Sequence, residues 1–275
     1  MAAEPQLVSS SVSAAAERHD AYYWRLVATG FSFVLFGIGA FVMGAIVVPL
    51  VRIFPGSRTV KRARTRRVVG TGLGFFVKSG RFLGVWTCHF QGLERLGRPG
   101  QLILANHPSL LDAVGLLAAL PGANCIMKDA LWRNPLTRRA VILSEYITNE
   151  STAAMIEGGA QALHDGETVI MFPEGTRTKP QQRCIFHRGA ANLALRAARV
   201  VTPVYIRVEP TTLTKGEPWY RIPARRFHIS FIVGDDIALE AYRRSGPIPL
   251  ASRTLNEHLQ THFDLELSRQ RGNAG

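Results

Sequence analysis

Two short stretches of this chain carry residue types that can do chemistry together. In Asn106-His107-Pro108-Ser109-Leu110-Leu111-Asp112 a histidine is followed five residues later by a carboxylate. In Phe172-Pro173-Glu174-Gly175-Thr176-Arg177 a carboxylate, a glycine and a fixed positive charge stand together. A carboxylate on one imidazole nitrogen fixes the tautomer and leaves the other nitrogen as a general base, which contributes roughly 10² to 10⁴ in rate. Such a base acts on a substrate hydroxyl or amine, because no serine here stands in a nucleophile-elbow context. A thioester is reactive enough for base assistance and positioning to suffice without a metal or ATP, and the sequence has no phosphate-cradling Walker loop. These residues point to acyl transfer, and Arg177 favours an acidic acceptor. Plainer readings stand beside this one. Ser109-x-x-Asp112 fits a helix capping box, and Pro173-Glu174-Gly175-Thr176 fits a turn that would leave Arg177 as a surface arginine.

The surrounding pattern supplies elements that could position both motifs. Residues 101–105 form a short apolar strand candidate, and 109–120 have helical apolar spacing closed by Pro121-Gly122. Further strands are expected at 123–127, 145–148, 168–172, 202–208 and 227–233. Helices are expected from near Asn134-Pro135, at 152–164, at 189–199 and at 250–267. Strands alternating with helices imply an α/β fold with a mixed, largely parallel sheet flanked by helices, in which sites form beyond strand C-termini. Both motifs fall at such ends.

Composition narrows the setting. The chain has 275 residues, with 33 Lys+Arg against 20 Asp+Glu, and this excess favours an anionic partner. Three scattered cysteines, Cys88, Cys125 and Cys184, fit neither a disulfide framework nor a zinc site, and no metal is expected. Residues 26–51 contain no charge, and the run exceeds the roughly 20 apolar residues needed to cross a bilayer. Arg25 and Arg52 bracket it, and Lys and Arg cluster from Arg52 to Arg81. The positive-inside bias then places the catalytic part on the cytoplasmic side of the membrane. A second apolar stretch at 68–77 leaves two arrangements open: a spanning helix, or a two-helix hairpin lodged in one leaflet. The expected organisation is a polar tail (1–25), a membrane anchor (26–91) and an α/β domain (92–275). Gly70, Gly72 and Gly74 lack the preceding strand that a dinucleotide-binding loop requires.

Asn106-His107 with Asp112, and Phe172 through Arg177, resemble the first and third signature blocks of the lysophospholipid acyltransferase family, typified by 1-acylglycerol-3-phosphate acyltransferases. Similarity continues at Lys128-x-x-Leu131-x-x-x-Pro135, at Phe186-His187-Arg188-Gly189-Ala190 and at Thr202-Pro203-Val204, and so covers residues 92–208. The resemblance implies a glycerolphosphate-acyltransferase-like fold in which His107 deprotonates the acceptor hydroxyl and Asp112 orients it. It also implies that Glu174, Gly175, Thr176 and Arg177 bind the acceptor, the arginine on its phosphate, with Asn106, Lys128 and Arg188 completing the substrate-binding set. The acyl donor would be acyl-CoA or acyl carrier protein and the acceptor a membrane lipid, with no cofactor. Two positions depart from the family pattern. Asn149 follows the second-block strand where a basic residue is usual, and His187 replaces a lysine.

Leu131-Trp132-Arg133-Asn134-Pro135, Arg188-Gly189-Ala190-Ala191-Asn192 and Leu213-Thr214-Lys215-Gly216 are also similar to acyltransferases of bacterial aryl-polyene lipid pathways. Two alternatives therefore accompany the leading expectation: the same chemistry on a specialised lipid acceptor, and a nonenzymatic protein that binds anionic surfaces. Nucleic acid is not expected, because the aromatic residues are not interleaved with the basic clusters. The oligomeric state is left open.

Overall fold

A computed structural model of the chain describes residues 21–178 and 182–272. Most of the expected polar tail (1–25) lies outside them. The chain enters as helix α1 (Tyr22–Val42), passes through a π-helical turn (Met43–Val47) and continues as α2 (Val48–Ile53). Pro49 lacks the N–H that would pair one turn back, and the wider turn sits directly before it. Ser57 then caps α3 (Arg58–Phe82), its Oγ accepting from Val60 N–H.

A seven-stranded sheet follows, built from β1 (Trp86–Gln91), β2 (Gln101–Ala105), β3 (Asn124–Met127), β4 (Ile147–Thr148), β5 (Val169–Met171), β6 (Val200–Glu209) and β7 (Phe227–Val233). The spatial order is β1-β7-β6-β2-β5-β3-β4, and every pair is parallel except β6 with β7. Between the strands lie α4 (Asp112–Ala119), α5 (Ala130–Arg133), α6 (Arg138–Leu143), α7 (Thr152–His164) and α8 (Gly189–Ala197). The chain closes with α9 (Glu240–Arg244) and α10 (Ile248–Gly272). The expected mixed, largely parallel α/β fold is what the structure has.

Strand β1 was not anticipated. The sheet starts at Trp86, ahead of the boundary expected at residue 92, because Trp-Thr-Cys-His-Phe-Gln reads as neither an alternating nor a continuous apolar run. The expected helix at 109–120 is shorter, and Asp112 is its first residue.

Successive residues of the fully buried β2 point to opposite layers, as strand geometry requires. Leu102 and Leu104 face a core shared with α7, α8 and α10, whereas Ile103 and Ala105 face a core that includes Ala28 of α1, Phe76 of α3, Leu116 of α4 and Val141 of α6. The N-terminal helices thus form part of the layer on one side of the sheet. Phe76 packs between Phe36 and Trp86, with ring centroids 5.1 and 5.4 Å away. A Cβ on Gly70 would lie 2.4 Å from Pro121 Cα, so the close crossing of α3 over the end of α4 requires glycine there. This is the physical reason for one of the glycines in the 70–74 run.

Part of the basic cluster is turned inward, although Arg58, Arg67, Lys78 and Arg81 are exposed. Arg66, 1% exposed, donates to Ser144 O and Glu145 O at 2.8 Å each and to Glu167 Oε2 at 2.7 Å. Arg62 reaches Glu167 at 2.6 Å and Asp165 at 3.3 Å. The two arginines that bracket the apolar run also bond within the protein, Arg25 to Pro223 O and Ala224 O and Arg52 to Leu143 O. Their role in fixing the chain ends of α1 and α2 could not be separated in sequence from a topological one.

Candidate active site

Strands β2 and β5 are neighbours in parallel register, with Leu104 opposite Met171. The loops that leave their C-terminal ends therefore emerge side by side, one carrying His107 and the other Phe172 through Arg177. This is the edge of a parallel sheet where unpaired backbone and loop side chains converge.

His107 Nδ1 lies 2.8 Å from Asp112 Oδ2. The same carboxylate oxygen accepts from Ser109 N–H at 2.7 Å, a bond within the loop that leads into α4, whose N-cap position is Leu111 and carries no side-chain cap bond. Asp112 is fully buried, and burial pushes its carboxyl above the usual range while the bond and charge of His107 oppose that shift. Its Oδ1 has no hydrogen-bond partner among the described residues. A buried carboxylate so placed gains most when the imidazole beside it becomes positive, which is the state a general base passes through. Phe172 packs against the imidazole with ring centroids 4.4 Å apart, so one ring face is covered by an apolar group. With Nδ1 held by Asp112, Nε2 is the nitrogen left to take a proton.

The second motif wraps beneath the first. Glu174, 3% exposed, accepts from His107 N–H at 2.8 Å, and Thr178 N–H donates to His107 O at 3.0 Å. Burial raises the Glu174 carboxyl to about 7, against the lowering effect of the His107 backbone bond. Gly175 sits at φ +64°, a left-handed conformation that costs glycine little, and it lets the loop turn back beneath His107. Thr176 is half-buried in this loop. Arg177 Nη1 donates to Leu213 O at 2.8 Å and to Thr214 O at 3.1 Å, which fastens the segment after β6 to the site.

The remaining expected site residues are less uniformly placed. Asn106 is buried and both ends of its amide pair with the backbone of Ile206, at 2.8 and 2.7 Å, extending the sheet contact of β2 with β6. Lys128 directly follows β3 and is exposed, and Arg188 is exposed beside the start of α8. Asn149 Oδ1 accepts from Asp129 N–H at 3.2 Å. Sequence reasoning missed Phe172 as a cover for the imidazole, Thr178 as a backbone partner of His107, and Leu213 with Thr214 as carbonyl partners of Arg177. The only sequence signal for Phe172 and Thr178 was adjacency to the motif. Leu213 and Thr214 stood out only in a resemblance string, with nothing to link their carbonyls to Arg177; Leu213 adopts φ +55° in the fold. Among the described residues, no group of three or more His, Cys, Asp or Glu side chains is arranged to hold a metal ion.

A family model described as Acyltransferase matches residues 87–207. The 1-acyl-sn-glycerol-3-phosphate acyltransferase of Pseudomonas aeruginosa is 27% identical over 186 residues, covering 66% of this chain and 70% of that protein. The 1-acyl-sn-glycerol-3-phosphate acyltransferase alpha of Ovis aries is 28% identical over 111 residues, and the match spans only 38% of the length of each chain. The crystal structure of the 1-acyl-sn-glycerophosphate acyltransferase PlsC from Thermotoga maritima superposes with a TM-score of 0.66 at 20% identity, covering 89% of this chain and 96% of that one, and so shares the fold. With the histidine–aspartate pair and the Phe-Pro-Glu-Gly-Thr-Arg loop brought together at adjacent strand ends, residues 87–207 match the Acyltransferase family model, and the chain is similar in sequence and in fold to 1-acyl-sn-glycerol-3-phosphate acyltransferases.

Proposed function

We propose that this protein is a membrane-bound O-acyltransferase that moves a fatty acyl group from acyl-CoA or acyl carrier protein to the hydroxyl of a 1-acylglycerol-3-phosphate-like lipid. The observation that carries the reading is the 2.8 Å bond between His107 Nδ1 and buried Asp112 at the rim of the sheet. His107 Nε2 removes the hydroxyl proton as the acceptor oxygen attacks the thioester carbonyl carbon. The tetrahedral intermediate collapses, the carbon–sulfur bond breaks, and the leaving thiolate takes the proton back from Nε2. The products are an ester and a free thiol, and His107 returns to its neutral state. Arg177 Nη1 serves the two loop carbonyls, and the other N–H donors of its guanidinium are those that would bind an acceptor phosphate.

Membrane attachment is supported by the outer face of α1 and α2. Val27, Phe31, Val34, Ile38, Phe41, Ile46, Leu50 and Ile53 recur at helical spacing and are all more than half exposed, whereas Arg25, Ala28, Thr29 and Ser32 on the opposite face are buried in the protein. A helix with one side on the protein and an apolar stripe on the other suits insertion into one leaflet, here the cytoplasmic leaflet of the inner membrane. Arg67, Lys78 and Arg81 on α3 are exposed, and their positive charge would suit anionic headgroups.

Asn149 favours a second reading of the acceptor. Where the family pattern has a basic residue, its side chain caps the Asp129 N–H, so one cation expected near the acceptor is absent from this position. The same chemistry on a lipid hydroxyl without a phosphomonoester, as in an aryl-polyene or other specialised lipid, fits this feature. Vesicle-reconstituted protein incubated with labelled acyl-CoA or acyl carrier protein and a panel of acceptors separates the two. Ester formation on 1-acylglycerol-3-phosphate supports the first, and ester formation confined to acceptors without a phosphomonoester supports the second. No ester on any acceptor would reject both.

A further inference from the structure

The main chain of His107 is held at both its N–H and its carbonyl by the loop that follows β5. Its N–H donates to Glu174 Oε1 at 2.8 Å, and its carbonyl accepts from Thr178 N–H at 3.0 Å. Thr178 Oγ1 also hydrogen-bonds Glu174 Oε2. The three contacts close a ring through His107, Glu174 and Thr178. We propose that Glu174 is a positioning residue for His107, acting through this ring, and that it does not contact the acyl acceptor.

Burial and partner count both argue against the acceptor-binding role that the family resemblance implies. Glu174 is 3% exposed, so an acceptor hydroxyl would reach it only if the loop opened. Each of its carboxylate oxygens already has a partner inside the ring. The ring acts on the one part of His107 that Asp112 and Phe172 leave unfixed: they set the rotation and cover of the imidazole, while the ring sets the position of its backbone at the end of β2. Displacing a reacting group by about 1 Å can cost on the order of 10²-fold in rate, so a backbone restraint at this residue bears on turnover.

The ring also holds in either protonation state of Glu174, both of which are accessible near neutrality because burial lifts the carboxyl to about 7. Ionised, the carboxylate accepts from His107 N–H and from the Thr178 hydroxyl. Protonated, it still accepts from His107 N–H and donates to Thr178 Oγ1. Glutamine reproduces the protonated form, with its carbonyl toward His107 and its amide toward Thr178. Alanine reproduces neither.

Glu174→Ala and Glu174→Gln in the full chain, reconstituted in vesicles, supply the test. Glu174→Ala should lower kcat by about 10²-fold with donor and acceptor KM values within about threefold of wild type, and Glu174→Gln should restore kcat to within about threefold. A rise of about tenfold or more in acceptor KM at unchanged kcat, or a glutamine variant as slow as alanine, would overturn the proposal. This kinetic arm rests on the acyl-transfer reading. Amide hydrogen exchange of the segment containing His107 does not: it should accelerate in Glu174→Ala and stay at the wild-type rate in Glu174→Gln, and unchanged exchange in the alanine variant would overturn the ring. If wild type esterifies no acceptor, the functional reading fails and exchange alone decides the ring. Should Glu174→Ala not fold, Thr178→Val carries the test, since it keeps the main-chain bond and the volume. A kcat lowered by about tenfold at unchanged KM supports the ring, and an unchanged kcat overturns it.

Discussion

Replacing Arg66 by alanine should destabilise the protein by about 3 kcal/mol, at the lower end of the range for breaking a buried ion pair. The magnitude follows from what the truncation strands. Glu167 keeps Arg62 at 2.6 Å and Asn124 Nδ2 at 2.9 Å, so its carboxylate is not left alone. Ser144 O and Glu145 O lose their 2.8 Å donors, and Ser144 is fully buried. An unsatisfied buried carbonyl costs about 1–3 kcal/mol, and the vacated guanidinium volume adds a cavity penalty. Urea unfolding in detergent micelles, followed by tryptophan fluorescence with Trp86 in the core, measures the loss. Exposed Arg67→Ala is the control and should stay within about 0.5 kcal/mol. If Arg66→Ala cost less than about 1 kcal/mol, the view that the basic cluster pins α3 to the catalytic layer would be wrong.

Asp112→Asn should lower kcat by about 10²-fold, because the amide can hold the wrong imidazole tautomer, and a loss under about threefold in steady-state assays would leave Asp112 only its bond to Ser109. Raising the Glu174 carboxyl from 4.5 to about 7 means the folded state binds its proton more tightly than the unfolded chain does. Its contribution is therefore fully present below pH 4.5 and is lost as pH rises through about 7, by at most about 3 kcal/mol, and Glu174→Gln should flatten that slope in pH-dependent unfolding. Ile38→Asp with Phe41→Asp, on the exposed face of α1, should release the protein from anionic vesicles in a flotation assay. Each lost apolar side chain weakens binding by about 1.5–3 kcal/mol, and retained flotation would place the membrane contact elsewhere.

The parts of the fold visible in sequence were those whose pattern is local. Strand β2 and the run ending at Met171 announce themselves by continuous apolar residues, and His107 and Asp112 by their five-residue spacing at a strand end. Strand β1 was invisible because Cys88, His89 and Gln91 break its pattern, and what makes it a strand is the pairing with β7, far away in sequence. The charges at the ends of the apolar run read equally well as topological signals. Only the fold shows that Arg25 and Arg52 bond to backbone carbonyls at positions 223 and 143. In the candidate site, spacing marked Glu174 and Arg177 but not what they touch. Glu174 meets the backbone of a residue on the neighbouring strand end, and Arg177 meets carbonyls of a loop beyond β6. Contacts of this kind are made by main-chain groups, which carry no residue-type signature.

The most direct test of the account is acyl transfer by His107→Ala. Wild type and variant, matched for vesicle binding and folded fraction, are given a labelled acyl thioester and the acceptor on which wild type is active, and ester is counted against free thiol. Loss of the base should reduce turnover by about 10² to 10⁴ while leaving vesicle binding unchanged, since the exposed apolar stripe lies on α1 and α2. Turnover at the wild-type rate would contradict the assignment of His107 as the base and, with it, the mechanism built on its bond to Asp112.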